Sequence, residues 1–555
     1  MPSDVVHSDW RKPILWFGLA ALVLAGLGLF LLLWDRYVEK GLAQWAVDEV
    51  DQHSQGVYHL VVGDVSFRPY AATLSFDSAV IITDPARNRR QHSVAPVLNA
   101  RAYHCLVAGL DLSKIFFRKE LVARTLGCER VVAGIGLVTG VRSPKDSTDP
   151  PNSSTPPKRL IRQLGLSVVQ IEEVSFPSVS VTLHRPGANG GASLELEQAT
   201  LRASELALRP TASSSSGAGV SAHRARLAAK GLILRPDTMS TVAIDRLEAG
   251  ITDSTLRLAG ARHGPSVTDE EWVRKHRFRR DRVRFKLDSL EARGVSYWSF
   301  IATGDLDVRV INVRGAVLDV LTDMRLPVGV PAHHRTPQAV AAATSPGFHL
   351  DTAHVAGGRI VYDERHPART RVGRVFFEAV DGHVTGLDLP SQGKPLRIEA
   401  SARLMNEGRL TLQATVPLDA PDFRFELSGK LGPMRAVALN DFLSENQPFK
   451  LDKGQVDGVE FRQVATGGSV TTTLTPRYQD LSVTPSDTGG GVFTSVKRAM
   501  KKVWANTFKV RSENPDDDGK PPRTVRTRRR YDPSNSWVQF LWFGLRDGLR
   551  AAVLK

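Results

Sequence analysis

Fifteen histidines and two cysteines are the residues in this 555-residue chain best suited to metal or nucleophilic chemistry. His333 and His334 are adjacent, so they cannot form the i, i+4 pair of a helical zinc site. His349 and His354 lie on opposite faces of an alternating, strand-like run. No metal site is expected. Cys105 and Cys128 are too few for a disulfide scaffold or a four-cysteine zinc site, and their spacing leaves open whether they pair. There is no phosphate-binding loop, no G-x-S-x-G elbow and no dinucleotide fingerprint after a strand. The expectation is a non-enzyme with no catalytic residues and no cofactor. A hydrolase with an unrecognised site is the enzymatic rival, and it requires a polar pocket with convergent titratable groups.

Four aspartates recur in one pattern, apolar-x-apolar-Asp with glycine a few residues later. They are Asp245 with Gly250, Asp288 with Gly294, Asp351 with Gly357, and Asp452 with Gly458. A metal or acid–base array is one reading. The gaps between repeats are unequal and no histidine or glutamate accompanies them. Each Asp is therefore read at a strand end or bulge, and each Gly where the backbone bends.

Net charge is +15, from 73 Lys and Arg against 58 Asp and Glu, which suggests an anionic partner. The run from Trp272 to Lys286 holds eight basic residues. It reads as a solvated loop or strand face, a headgroup contact or a nucleic-acid stripe, in that order. Val496–Val510 looks helical and basic. Arg528, Arg529 and Arg530 belong to a second basic cluster, followed by SNSWVQFLWFGLRDGLRAAVLK. As a helix this tail gathers Val538, Leu541, Trp542, Leu545, Leu549 and Ala552 into an apolar stripe, with Trp537 near its start. It could lie on a membrane, meet a partner's groove or plug one end of a sheet.

The elements that must position these residues are of two kinds. Ile14–Trp34 is a run without a charge, long enough as a helix to span about 30 Å of hydrocarbon. Ile14, Trp16, Phe30 and Trp34 are its anchor residues, with both indoles near the ends. The flanking charges barely decide orientation. A short head before a long body favours a cytoplasmic N-terminus and a translocated body. After a short amphipathic helix over Tyr37–Ser54, the period becomes two from Val57 onward, as in half-buried antiparallel sheet. Leu110–Leu121 holds a helical turn or two. Ser143–Lys158, Pro210–Ser221 and Pro327–Pro346 read as loops, and Asn152 opens a formal glycosylation sequon. The expected organisation is a head (1–12), an anchor (13–34), a β/α unit (35–142), a linker (143–158), a repetitive β region (159–485) and a basic C-terminal region with an amphipathic helix (486–555).

GLDLSKIFFRKELVARTLGCERV, LDVLTDMRLP, FHLDTAHVAGGRIVYDER, RVGRVFFEAVDGHVTGL, LSGKLGPMRAVALNDFL and NSWVQFLWFGLRDGL, in this order, resemble blocks of the AsmA-like envelope proteins. Within that group the chain is most similar to a family known mainly as a domain of unknown function. The resemblance implies a Gram-negative inner-membrane anchor and a periplasmic body. It also implies kinship with bridge-like lipid-transfer proteins, whose long curled sheet forms an apolar groove. It supplies no catalytic residues. Strands with few helices to cover them must pair with another sheet or curl. About twenty strands at roughly 4.8 Å spacing would make a trough on the order of 100 Å long. The expected partners are phospholipid acyl chains in the groove and a second membrane or envelope partner at the C-terminus, with no nucleic acid. The expected role is to bind or conduct phospholipid for outer-membrane upkeep. The alternative is a periplasmic scaffold whose sheets close into dry sandwiches.

Overall fold

The computed structural model describes residues 47–136, 168–208, 220–486 and 510–554, with short gaps inside these ranges. The head, the Ile14–Trp34 stretch, the 143–158 linker with Asn152, and the Val496–Val510 segment except its last residue lie outside them. Among the described residues no helix is long and apolar enough to cross a membrane.

The fold is mainly β. Its strands are β1 (Tyr58–Val62), β2 (Val65–Arg68), β3 (Thr73–Thr83), β4 (Val97–Ala108), β5 (Glu120–Gly136), β6 (Val168–Arg185), β7 (Ala192–Leu208), β8 (Val220–Ser221), β9 (Arg226–Arg235), β10 (Ser240–Gly250), β11 (Thr255–Pro265) and β12 (Arg282–Arg293). They continue as β13 (Leu306–Arg314), β14 (Val317–Asp323), β15 (Phe348–Arg365), β16 (Gly373–Leu389), β17 (Leu396–Leu404), β18 (Gly408–Val416), β19 (Phe425–Leu431), β20 (Met434–Arg435), β21 (Phe449–Thr466), β22 (Ser469–Pro485) and β23 (Val525–Arg530). The helices are α1 (Leu112–Arg118), α2 (Asp269–Lys275), α3 (Tyr297–Ala302), α4 (Pro337–Ala343), α5 (Asn440–Asn446) and α6 (Trp537–Val553). All but α6 are a turn or two long. That is too short to print a helical period on the sequence, and alternation dominates it.

Two compact units are present. Of the described residues, one unit comprises those up to Ala261 with Glu291–Asp307, and the other Arg262–Leu290 with those from Val308 onward. The division falls inside the stretch read as one repetitive region.

In the first unit, β1 and β2 both pair with β3, and the sheet continues through β4 and β5 with antiparallel pairs. β5 then pairs with β6 in parallel, and β6, β7, β9 and β10 follow antiparallel. The parallel step corrects the all-antiparallel expectation. A parallel pair needs a crossover of a dozen or more residues. Residues 137–167, which contain the expected linker, are that connection.

Alternation places one apolar residue per strand in a continuous row: Leu60, Ile81, Ala100, Ala133, Val181, Leu196, Leu232 and Ile244. The row is buried from β1 to β6 and only half-buried on β7, β9 and β10. Cys105 and Cys128 stand directly opposite each other on β4 and β5 and form a disulfide inside the first unit's core. At α1 the cap is Asp111. It accepts hydrogen bonds from the Ser113 hydroxyl at 2.7 Å and the Lys114 amide at 3.2 Å. These bonds hold its carboxyl below the usual range.

The second unit runs β12–β14 antiparallel and β14–β15 parallel. From there antiparallel pairs link β15, β16, β17, β18, β19, β21, β22 and β23 in turn. The connection across the parallel step carries α4, which overturns the loop reading of Pro327–Pro346. Thr336 caps α4, with its hydroxyl accepting from the Ala339 amide, and Pro337 begins it. Buried Gln338 donates to the Pro417 and Arg424 carbonyls and ties α4 to the sheet.

The basic run from Trp272 is not a uniform solvated face. Arg282 is buried between Asp269 and Asp319. Arg284 pairs with Asp269, and Arg279 donates to the Met324 and Leu326 carbonyls.

The repeated aspartates lie within strands; Asp452 sits at a register shift of β21 against β22, and Asp245 and Asp288 each stand against a glycine at positive φ. A Cβ on Gly260, whose φ is +65°, would fall 2.1 Å from Asp245 Oδ2. The same distance separates a Cβ on Gly315 (φ +62°) from Asp288 Oδ2. Glu197 stands similarly against Gly231, and the Gly357 amide donates to Asp381 Oδ1 at 3.0 Å. Gly231, Gly260 and Gly357 lie within strands and Gly315 in the bend between β13 and β14, and all four adopt the positive φ that glycine takes without strain.

Candidate apolar binding face

Alternation in the second unit aligns apolar residues in parallel rows across its sheet. One row is Gly382, Ala400, Leu412, Gly429, Phe461 and Leu474. A second is Val384, Ile398, Ala414, Leu427, Gln463 and Thr472. A third is Ala402, Leu410, Leu431, Val459 and Pro476. All point to one face, because directly opposed residues share a face.

Helices cover this face at its ends. α5 packs on β15, β16 and β21. At the other end α4 and α6 close over Val416, Phe425, Ala465 and Val470. Between the covers Val384, Ile398, Ala400, Leu410, Leu412, Leu427 and Phe461 are only half-buried. A strip of sheet of this composition remains within reach of an apolar ligand.

The predicted tail helix is α6, and its docking differs in detail from the expected stripe. Phe540, Gly544, Gly548 and Ala552, four residues apart, form the buried line. Gly544 lets the helix backbone approach the sheet, since a Cβ there would meet Gln463 Nε2 at 2.5 Å and Thr472 Oγ1 at 2.8 Å. Gln463 Nε2 donates to the Leu541 carbonyl at 3.0 Å. Phe540 stacks edge-on against Tyr531 at 5.2 Å, with Phe423 beside both. Leu541, Leu545 and Leu549 are half-buried beside this line, and Trp542 is 45% exposed. Trp537 begins the helix. The small-residue spacing Gly544–Gly548–Ala552 was the available signal for the buried line. The expected stripe shares only Ala552 with it, because hydrophobicity alone passes over the two glycines.

The arginine cluster divides by strand alternation. Arg529 faces α6, bonding Asp547 Oδ2 at 2.6 and 2.8 Å, and stacks near the Phe543 ring from one side while Arg546 does so at 4.7 Å. Arg526, Arg528 and Arg530 point the other way and are exposed. Arg528 donates to the Ser469 hydroxyl at 3.0 Å.

Residues alternating with the apolar rows are polar. A cavity of about 920 Å³ is lined by His354, His383, Glu399, Gln413, Ser428 and Arg462, among others. Near α5, Glu364 accepts from the Tyr362 hydroxyl at 3.0 Å, and burial holds its carboxyl above the usual range. Burial likewise raises the Tyr362 phenol. Among the described residues no group of three or more His, Cys, Asp or Glu forms a metal site.

No family model and no curated protein matches this chain. A solved structure, that of the sex pheromone staph-cAM373 precursor, aligns with 61% of this chain and 87% of its own length at 6% identity and a TM-score of 0.10. That score is too low to carry an argument about fold.

Proposed function

We propose that this is a non-enzymatic, inner-membrane-anchored protein of a Gram-negative envelope, with its body in the periplasm, that holds or conducts phospholipid along the apolar sheet face. The half-buried strip between α5 and the α4–α6 cover carries this reading. Acyl chains are the ligands that such a strip suits, since burying apolar area contributes roughly 25 cal/mol per Å². The charge-free Ile14–Trp34 stretch supports anchorage. The Cys105–Cys128 disulfide supports an oxidising compartment. At the C-terminus, Trp542 and the exposed Arg528 and Arg530 are the contacts left for a second membrane or an envelope partner.

The test is photo-crosslinking in cells with the full chain. Benzoylphenylalanine in place of Leu412 or Ile398 should capture phospholipid, detected by mass spectrometry. The same group in place of Glu426, exposed on the polar face and outside the 920 Å³ cavity, should not. Absence of lipid adducts at every position on the strip would leave a dry scaffold as the better description.

A further inference from the structure

We infer that His354 and His383 form a binding site for a late first-row divalent cation such as zinc or copper. The two residues face each other on β15 and β16, and their Nδ1 atoms are 3.1 Å apart. The rings lie with centroids at 4.7 Å. A metal at 2.0–2.1 Å from each imidazole nitrogen, with the two bonds about 100° apart, separates the nitrogens by about 3.1 Å. The pair therefore already has the bite of a chelate.

An N–H···N bond between neutral rings explains the same distance, and a metal would replace its proton. Imidazole suits zinc, copper and nickel rather than magnesium or calcium. Both rings line the 920 Å³ cavity, so an ion can enter from solvent. Glu399 lies opposite His383 on β17 and lines the same cavity. Water fills the remaining positions, since no third His, Cys, Asp or Glu among the described residues is placed to ligate with the pair. Two histidines fall short of the three-residue sets that hold resident metals, so the site should be exchangeable and of micromolar strength.

The experiment is calorimetric titration of zinc into the full chain in detergent, after removal of any histidine tag. One zinc per chain should bind at neutral pH, with no heat from magnesium. Binding should vanish in acid, because protonated imidazole cannot ligate. A His354→Ala, His383→Ala double variant should weaken binding at least tenfold. His349→Ala should leave it unchanged, since His349 pairs instead with Asp388 on the same two strands. Copper paramagnetic resonance of the parent should show two equatorial nitrogens, a readout that stands even if the double variant fails to fold. The proposal is overturned by absence of saturable zinc binding, by equal affinity in the double variant, by a comparable loss in His349→Ala, or by a copper spectrum without nitrogen ligands.

Discussion

Asp323 at the end of β14 accepts from Arg325 through its backbone amide, Nε and Nη2, at 2.6–3.1 Å. Arg365 lies 3.6 Å away, and Glu270 of α2 bridges both arginines. Burial pushes the Asp323 carboxyl up, but the bonds from Arg325 outweigh it and hold the group below the usual range. A depressed folded-state value contributes stability above the ordinary carboxylate range, lost as pH falls through the folded value. Asp323→Asn should therefore cost about 2 kcal/mol at pH 7, and that penalty should shrink in acid. Chemical denaturation at pH 7 and pH 3 measures both. Glu364 is the opposite case. Its raised value means that ionisation opposes the fold, so its contribution is full below the ordinary carboxylate range and fades as pH rises through the folded value. Glu364→Gln should move the denaturation midpoint upward at pH 8 and leave it unchanged at pH 4.

At the scale of the element, the disulfide is a clip between two neighbouring strands. It closes a loop of 23 residues' separation, for which chain-entropy arguments give about 3 kcal/mol. Reducing it, or replacing both cysteines with serine, should lower the stability of the first unit by that order, read by denaturation with and without reductant. The α6 contact makes a second prediction. Gly544→Val puts carbon where Gln463 and Thr472 already stand, so α6 should lift and its amides should exchange faster with deuterium. Leu545→Asp, half-buried, should loosen the helix as well. Trp542→Asp should leave it seated and weaken only attachment to a membrane or partner, which a vesicle-tethering measurement would detect.

Much of this was legible at the outset for one reason. An alternating strand writes its buried face into the sequence, so the apolar rows of both units follow from period two. α6 was legible because it is long. α4 carried a readable Thr-Pro start, but its length of about two turns hid it in a stretch rich in proline and alanine. The two parallel steps were invisible because pairing direction depends on where a connection returns, not on side-chain period. The His354–His383 pair was missed for a related reason. Reading along one strand sets His354 against His349, whereas its contact lies across the ladder.

At the scale of the whole molecule, most strands of each unit pair with a near neighbour in sequence. Long alternating strands carry a hazard, because sliding by two residues keeps every side chain on its proper face. Period two therefore does not fix where one strand stops along the next. The carboxylate–glycine joints at Asp245–Gly260, Asp288–Gly315 and Glu197–Gly231 remove that freedom. Displaced by two, each acidic group would meet a residue with a Cβ, and the left-handed turn would fall on a side chain that resists it. These joints act as notches on a ratchet. They let a chain built of near-interchangeable strands reject misaligned assemblies one hairpin at a time, so Gly260→Val, which sets a branched side chain at φ +65° against Asp245, should both lower the denaturation midpoint and make refolding slow and heterogeneous.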